Sequence, residues 1–251
     1  MEITEKFNIT VAGHVIRIES RFPESRHFFR DYLADESSDP EIVATVSDDE
    51  IEKVLSLYPE GSAKTAELTA LYRPIAEKLP NLGGFIFHGA AISYDGKGYI
   101  FTAPSGTGKS THIKLWRKYL GRDVGIINGD KPVITIDGKG VFVHGTPWAG
   151  KELWQKNVCF PIGGICLLKR GESNIISPAD IGNNLPFIFS QAYLSKDSSV
   201  TLKTMDLLDG LLKNTPVYEF YCDISETAVK CSFEQMTGKN FNECKITDSD
   251  K

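Results

Sequence analysis

Between residues 7 and 19, FNITVAGHVIRIE, apolar and polar side chains alternate on either side of Ala12-Gly13. A period of two interrupted by a small pair predicts a β-hairpin. The segment RHFFRDYL sets Phe28, Phe29, Tyr32 and Leu33 at helical spacing. EIVATVSDDEIEKVL reads as a short strand and then a helix, with Ser47 as N-cap and Glu50 completing a capping box. In TAELTALYRPIAEKLP, Leu68, Leu71, Tyr72, Ile75 and Leu79 fall on one helical face, and Pro74 should kink or break that helix. Residues 1–80 therefore predict a small α+β unit, with no catalytic constellation of its own.

Residues 81–251 are expected to form a second, α/β domain. FIFHGAAISYDGKGYIFTAPSG predicts two strands around Asp95-Gly96-Lys97-Gly98, and KPVITIDGKGVFVHGTPW repeats the device around Asp137-Gly138-Lys139-Gly140. Asp-Gly supplies the positive φ of tight hairpins, so the twin DGKG signals two turns rather than a domain repeat. GGICLLKRGES reads as a buried strand and turn. SPADIGNNLPFIF is expected to open a helix with Ser177 as N-cap and Pro178 at its first position. SVTLKTMDLLDGLLKN sets Val200, Leu202, Met205, Leu208 and Leu212 along an amphipathic helix. PVYEFYCD reads as a strand, SETAVKCSFEQM as a helix capped by Ser225, and NECKITDSDK as a polar, frayed tail.

A chain of 251 residues can bury a substantial core. Its net charge of −5 and lack of a basic segment argue against a nucleic-acid partner. Cys159, Cys166, Cys222, Cys231 and Cys244 are odd in number and lack CxxC spacing. They read as small core residues in a reducing compartment, not as a metal site. MEITEKFNIT has neither the basic nor the apolar region of a secretory leader, and no apolar run approaches the ~20 residues of a membrane helix. The expectation is a cytoplasmic protein with no membrane partner.

The strongest chemical signal is FTAPSGTGKSTHIKLW, residues 101–116. Ala103 followed at fixed spacing by Gly108-Lys109-Ser110 fits a P-loop with Ala in place of the first Gly. Gly106 and Gly108 let backbone N–H groups turn inward around phosphate oxygens. Lys109 reaches the β- and γ-phosphates, and the Ser110 hydroxyl takes Mg2+. The helix beginning near Lys109 points its positive end at the phosphates, with Ile113, Trp116 and Leu120 facing the sheet. Ala103 is tolerated if its backbone stays in an ordinary φ/ψ region. The expected nucleotide-binding set is Ser105, Gly106, Thr107, Gly108, Lys109, Ser110 and Thr111. Such a loop needs a carboxylate for the metal, and the apolar run from Val124 to Ile127 ends in Asp130.

A hairpin, rather than a βα crossover, precedes this loop. The chain has neither an LSGGQ-type signature nor the NKxD of GTPases. FHGAAISYDGKGYIFTAPSGTGKSTH resembles the C-terminal domain of the HPr kinase/phosphorylases, a family that shares a superfamily with the phosphoenolpyruvate carboxykinases. The matching parts are His88-Gly89, Asp95-Gly96, Ser105 to Ser110, and Asp130, in the family's order. The likeness is good over about residues 85–135 and looser from 140 to 235. It does not extend to that family's N-terminal domain, and it is closest to the small HPr kinase-like proteins of bacteria.

The resemblance implies a mixed-sheet P-loop kinase core, with Lys109 and Ser110 serving phosphate and metal. Asp130 matches a carboxylate that binds metal and acts as base, and His88 matches a histidine that orients it. The family often shows two adjacent acids, but here Gly129 precedes Asp130. The leading expectation is an ATP- and Mg2+-dependent kinase acting on a hydroxyl, whether a peptide or protein serine or a small metabolite. The alternative is a non-catalytic ATP sensor. Lys151, in a Gly/Pro-rich loop with Thr146 and Trp148, is a candidate to neutralise the transferring phosphoryl group, and a surface loop with an anchored Trp is the other reading. His14, His27 and His112 are expected to be structural or superficial. Homo-oligomerisation stays open.

Overall fold

Ala12 and Gly13 both lie at positive φ, 53° and 84°. They close a two-residue hairpin between β1 (Glu5–Val11) and β2 (His14–Ser20). The computed structural model describes residues 2–246. Strand β3 (Ile42–Ala44) adds in parallel to β2. RHFFRDYL forms only a short helix, α1 (Ser25–Phe28), and then a 3-10 turn at Arg30–Tyr32. The tighter turn shifts the register, so Phe29 and Tyr32 are buried while Leu33 is turned out. Helix α2 (Asp48–Leu57) carries the full Ser47/Glu50 capping box.

Pro74 has the effect its position predicts. Helix α3 (Ala63–Ala70) ends before Leu71, and α4 (Tyr72–Lys78) takes the proline into its first turn, where no intrahelical N–H bond is lost. These elements enclose a core running from Phe7 to Leu79 that also takes in Ile86, Val133 and Trp148.

The second sheet is mixed. Its strands are β4 (Gly84–Ile86), β5 (Ala90–Tyr94), β6 (Lys97–Thr102), β7 (Gly125–Asn128), β8 (Val133–Asp137), β9 (Gly140–His144), β10 (Cys159–Arg170), β11 (Ile175–Pro178) and β12 (Val217–Cys222). Among the described residues the order is β4-β8-β9-β10-β6-β5-β7, with β12 on β10 and β11 on β12. Strand β10 changes partner along its length. It pairs antiparallel with β9 at its start, and parallel with β6 and then β12 further on.

Alternate residues of the central strands face opposite layers. Phe101, Cys166 and Leu168 pack against α5 (Lys109–Leu120) and α8 (Glu226–Thr237). Ile100, Ile165 and Leu167 pack against α6 (Ile181–Gln191) and α7 (Ser198–Asn214). The result is an α/β sandwich with helices on both faces of the sheet.

Several expectations need correction. Residues 85–94 form two strands, not one: β4 pairs with β8, and β5 with β6 and β7. Between them, the N–H groups of Phe87, His88 and Gly89 bond three different segments, at the carbonyls of Pro132, Gln191 and Asp130.

The twin DGKG motifs make different turns. The first pairs Tyr94 with Lys97 and places Asp95 and Gly96 at positive φ. The second pairs Asp137 with Gly140, one residue later, and the positive φ moves to Gly140. Asp137 Oδ1 instead accepts from the Lys139 N–H at 2.7 Å.

Ser177 and Pro178 belong to edge strand β11, where a missing N–H costs no ladder bond. Helix α6 starts later, capped by Asp180, whose side chain accepts from the Asn183 N–H. In α7 the buried side chains are Thr204, Leu208 and Leu211, whereas Leu202 and Met205 are 60% and 39% exposed. Helix α7 packs on the chain with a face about one residue around from the predicted one.

The tail is ordered further than its polarity suggests. A short α9 (Phe241–Cys244) packs Phe241 into the core, and the Ile246 N–H donates to the Tyr119 carbonyl. Residues 247–251 lie outside the described residues. The cysteines form no disulfide among the described residues. Cys166 alone is fully buried, and Cys159 is exposed rather than in the core.

Candidate functional site

Strands β6, β7, β10 and β12 run in the same direction, so their carboxyl ends open on one edge of the sheet. In open α/β sheets this edge is where ligands bind. At the end of β6, residues 103–108 turn into α5. Gly106 and Gly108 hold φ of 78° and 128°, which side-chain-bearing residues rarely adopt, and open space lies beside both. Ala103 has no such requirement: its φ is not positive, and it is fully buried.

No side chain caps α5, so its first-turn N–H groups lack a capping partner. Lys109 folds back over the loop, and its Nζ donates to the Ala103 carbonyl at 2.8 Å. Burial pulls the Lys109 ammonium below its ordinary pKa, and the nearby Asp130 charge opposes that pull. Ser105 is exposed, and Thr107, Ser110 and Thr111 are half-buried along the loop and first helical turn. From outside, Arg170 at the end of β10 donates to the Gly106 carbonyl at 2.7 Å.

Across β5, the chain leaving β7 presents Asp130. The Asn128 side chain shapes this corner by accepting from the N–H groups of Asp130 (2.8 Å) and Lys131 (2.7 Å). Asp130 Oδ1 lies 3.3 Å from His88 Nε2, and Lys131 Nζ pairs with Oδ2. Burial pushes the Asp130 carboxyl up. His88 and Lys131 outweigh it and hold the group well below the usual carboxylate range. A carboxylate has about four lone-pair sites, so two remain for another partner.

His88 is oriented by Gln191, the last residue of α6. Gln191 Nε2 donates to Ser190 Oγ at 2.8 Å and to the Phe187 carbonyl, which turns its Oε1 toward His88 Nδ1 at 3.0 Å. Thr102 Oγ1 donates to the His88 carbonyl at 2.8 Å. Both ring nitrogens thus face oxygen acceptors.

The loop after β9 lies over Asp130. Thr146 Oγ1 donates to the Lys131 carbonyl at 2.7 Å, and Asn128 Nδ2 donates to the Thr146 carbonyl at 2.9 Å. Trp148, 7% exposed, packs on Phe29 and Tyr72, and its Nε1 donates to the Leu68 carbonyl at 2.8 Å. A Cβ at Gly150 would stand 3.1 Å from the Asp130 Cβ. Lys151 follows directly but is exposed, and no contact brings its side chain to Asp130.

The other histidines are structural. His112 is buried between Phe101 and Phe220, bonds Ser232 at 2.9 Å, and has its pKa pushed down to about 3 by burial. His14 pairs with Glu41, and His27 with Arg30. His144 bonds Thr135, and burial pushes its pKa down to about 4.

The glycine loop, His88 and Asp130 are therefore brought to one sheet edge. Sequence reasoning missed Lys131, Gln191, Thr102 and Arg170. Lys131 had a signal, since it adjoins Asp130. Gln191 had none, lying 103 positions from its partner.

Among the described residues no group of three or more His, Cys, Asp or Glu side chains gathers to hold a metal. Of the two expected metal ligands, Ser110 is half-buried in the first turn of α5 and Asp130 stands just beyond β7. Among the described residues, no helix is long and apolar enough to cross a membrane.

No protein-family model and no curated protein matches the sequence. Among solved structures, the HPr(Ser) kinase/phosphatase from Coxiella burnetii is similar, at 15% identity and a TM-score of 0.33, over 60% of this chain and 97% of that one. A likeness at that score says nothing of this chain's chemistry, which rests on its own side chains.

Proposed function

We propose that the chain is an ATP-dependent kinase that transfers the γ-phosphoryl group to a hydroxyl. One observation carries the reading. A glycine loop with a lysine folded over it ends β6, and a His88–Asp130 pair stands across β5 on the same edge. Phosphoryl transfer requires little of a protein beyond positioning and charge stabilisation, and both are supplied here.

ATP phosphates lie along residues 105–111, under the free N–H groups of α5 and beside Lys109. The acceptor hydroxyl approaches from the Asp130 side. Its oxygen bonds to the γ-phosphorus as the bond to the β,γ-bridging oxygen breaks, and ADP leaves with that electron pair. The hydroxyl proton passes to Asp130, which is ionised at neutral pH and has lone pairs to spare. His88, held by Gln191, keeps the carboxylate turned into the site. Ser110 and Asp130 are the residues that would hold a Mg2+ ion, which would supply further neutralisation of phosphate charge. The loop of Thr146 to Gly150 covers Asp130, and a part for Lys151 in transfer would require its exposed side chain to swing inward from the end of that loop.

A second reading, a nucleotide sensor without transfer, is favoured by the Lys131 contact, which ties up one oxygen of the would-be base. The two are separated by ADP release from purified protein, ATP and a library of hydroxyl acceptors. The kinase requires acceptor-dependent release that Asp130→Asn abolishes while ATP binding persists. Tight ATP binding with no transfer to any acceptor selects the sensor.

A further inference from the structure

Lys131 is pinned through its backbone, so its freedom to move lies in its side chain. Its N–H donates to Asn128 Oδ1 at 2.7 Å, and its carbonyl accepts from Thr146 Oγ1 at 2.7 Å. The side chain is 30% exposed and reaches Asp130 Oδ2. Its Nζ also stands 5.6 Å from the centre of the Tyr72 ring. Tyr72 is half-buried, with Trp148 and Tyr193 both edge-on to it. Among the described residues, Asp130 is the one carboxylate that pairs with Lys131. Glu77, from the same helix as Tyr72, is already taken by the Tyr193 and Ser195 hydroxyls.

Asp130 therefore meets the site with one partner on each oxygen, His88 on Oδ1 and Lys131 on Oδ2. Resting on the kinase reading above, we propose that the acceptor carries an anionic group, a carboxylate or a phosphate, a few bonds from its hydroxyl, and that Lys131 binds that group. A hydroxyl that bonds to Oδ2 comes in beside the Lys131 ammonium. The ammonium exchanges Asp130 for the acceptor's anion, and Oδ2 is opened to the hydroxyl proton. The transfer then runs as above. The hydroxyl oxygen bonds to the γ-phosphorus, ADP leaves with the electron pair of the broken bond, and the proton goes to Asp130. Lys131 neither gives nor takes a proton in the exchange.

A neutral acceptor has no such exchange to offer. It shares Oδ2 with the ammonium, or it leaves a partly enclosed charge without a counter-ion, which is costly. An anionic acceptor restores the pair. A site of this kind selects through the group that the wrong partner leaves unpaired. The surroundings fit the exchange. The face of Tyr72 supports the ammonium as it turns, and the two backbone anchors confine the movement to one side chain. The two lysines of the site are kept for different anions. Lys109 follows β6 and is held by the Ala103 carbonyl, Lys131 follows β7, and β5 lies between those strands. The charge of Lys131 also works against the Lys109 ammonium. The phosphates of ATP thus belong to Lys109, and the anion of the acceptor to Lys131.

The test is ADP release by the whole chain with ATP and hydroxyl acceptors in matched sets, the hydroxyl set beside a carboxylate, a phosphate or an uncharged carboxamide. Glycerate, glycerol phosphate and glyceramide make one set, and serine with its amide another. The expected result is a kcat/KM about 10-fold or more higher for an anionic member than for its carboxamide, the scale of one hydrogen bond to a charged group. Which anion is preferred separates carboxylate from phosphate. Lys131→Met should cancel the preference, chiefly by raising KM for the anionic member, and Lys131→Arg should restore much of it. Thermal melts check that the variants are folded, and the wild-type comparison within each set needs no variant. Equal wild-type values across the sets would overturn the proposal, as would a preference that survives Lys131→Met. An equal fall in kcat for charged and uncharged acceptors in Lys131→Met would overturn it too, by putting Lys131 on the transferring phosphoryl group. ATP binding with no release for any acceptor would instead overturn the kinase reading, and the acceptor class with it.

Discussion

The carbonyl oxygen of Ala149 lies 2.7 Å from the point where a Cβ on Gly129 would stand. Trp154 closes the same space, its Cβ and carbonyl oxygen both at 3.5 Å. A side chain at residue 129, an acid included, would therefore collide with this backbone. The loop that covers Asp130 needs the room. Gly129→Asp should accordingly push that loop away rather than add a base. We expect a stability loss of about 1–3 kcal/mol, as for overpacking, together with loss of transfer. Denaturant titration and an ADP-release assay check this. An active, undestabilised Gly129→Asp protein would contradict it.

Lys109→Ala should reduce turnover by on the order of 10²-fold or more, the scale for removing a key transition-state donor. Its Nζ holds only the Ala103 carbonyl, so the melting temperature should change little. Steady-state kinetics and a thermal melt on the same preparation read the two effects separately.

Gln191 is a positioning residue that acts through His88. Gln191→Leu removes the acceptor facing Nδ1 and should lower kcat by about 10-fold or more, with a shift in the pH–rate profile. Gln191→Glu keeps an oxygen there and should restore much of the rate. Equal losses in the two variants would indicate a packing role instead.

Buried His112 couples stability to pH. Its folded pKa, about 3, lies below its ordinary 6.5, so on acidification the unfolded chain takes up the proton first. Stability is then lost as pH falls from about 6.5 toward 3, by at most about 1.4 kcal/mol per pH unit for one group. His144, pushed down to about 4, acts in the same direction. The depressed Asp130 contributes its loss only at lower pH, once the unfolded carboxylate begins to protonate below about 3.9. Urea titrations between pH 7 and 4 should show a falling stability whose slope is shallower in His112→Gln.

What could be read from the sequence was local. The Ala12-Gly13 hairpin, the Ser47/Glu50 box, the break near Pro74 and the strand–loop–helix around Lys109 each depend on neighbours a few residues apart, where turn and cap chemistry acts. The errors arose where distant segments choose. Residues 87–89 separate β4 from β5 because Pro132, Asp130 and Gln191 claim their N–H groups. One copy of DGKG turns a residue later than the other because its strands pair in a different register. The site followed the same division. Lys109 and Asp130 were visible through motif spacing. Gln191 and Arg170 were not, since their roles depend on where α6 and β10 end in space.

The indole N–H of Trp148 ends on the Leu68 carbonyl, which ties the roof over Asp130 to a helix from the first third of the chain. A shortened protein starting at residue 81 would keep the glycine loop, Asp130 and His88, yet lose the anchor for their cover. Phosphate binding and acceptor-dependent transfer should then come apart in that fragment, with the first retained and the second gone. The amino-terminal helices thus share one core with this roof, through Trp148 together with Ile86 and Val133.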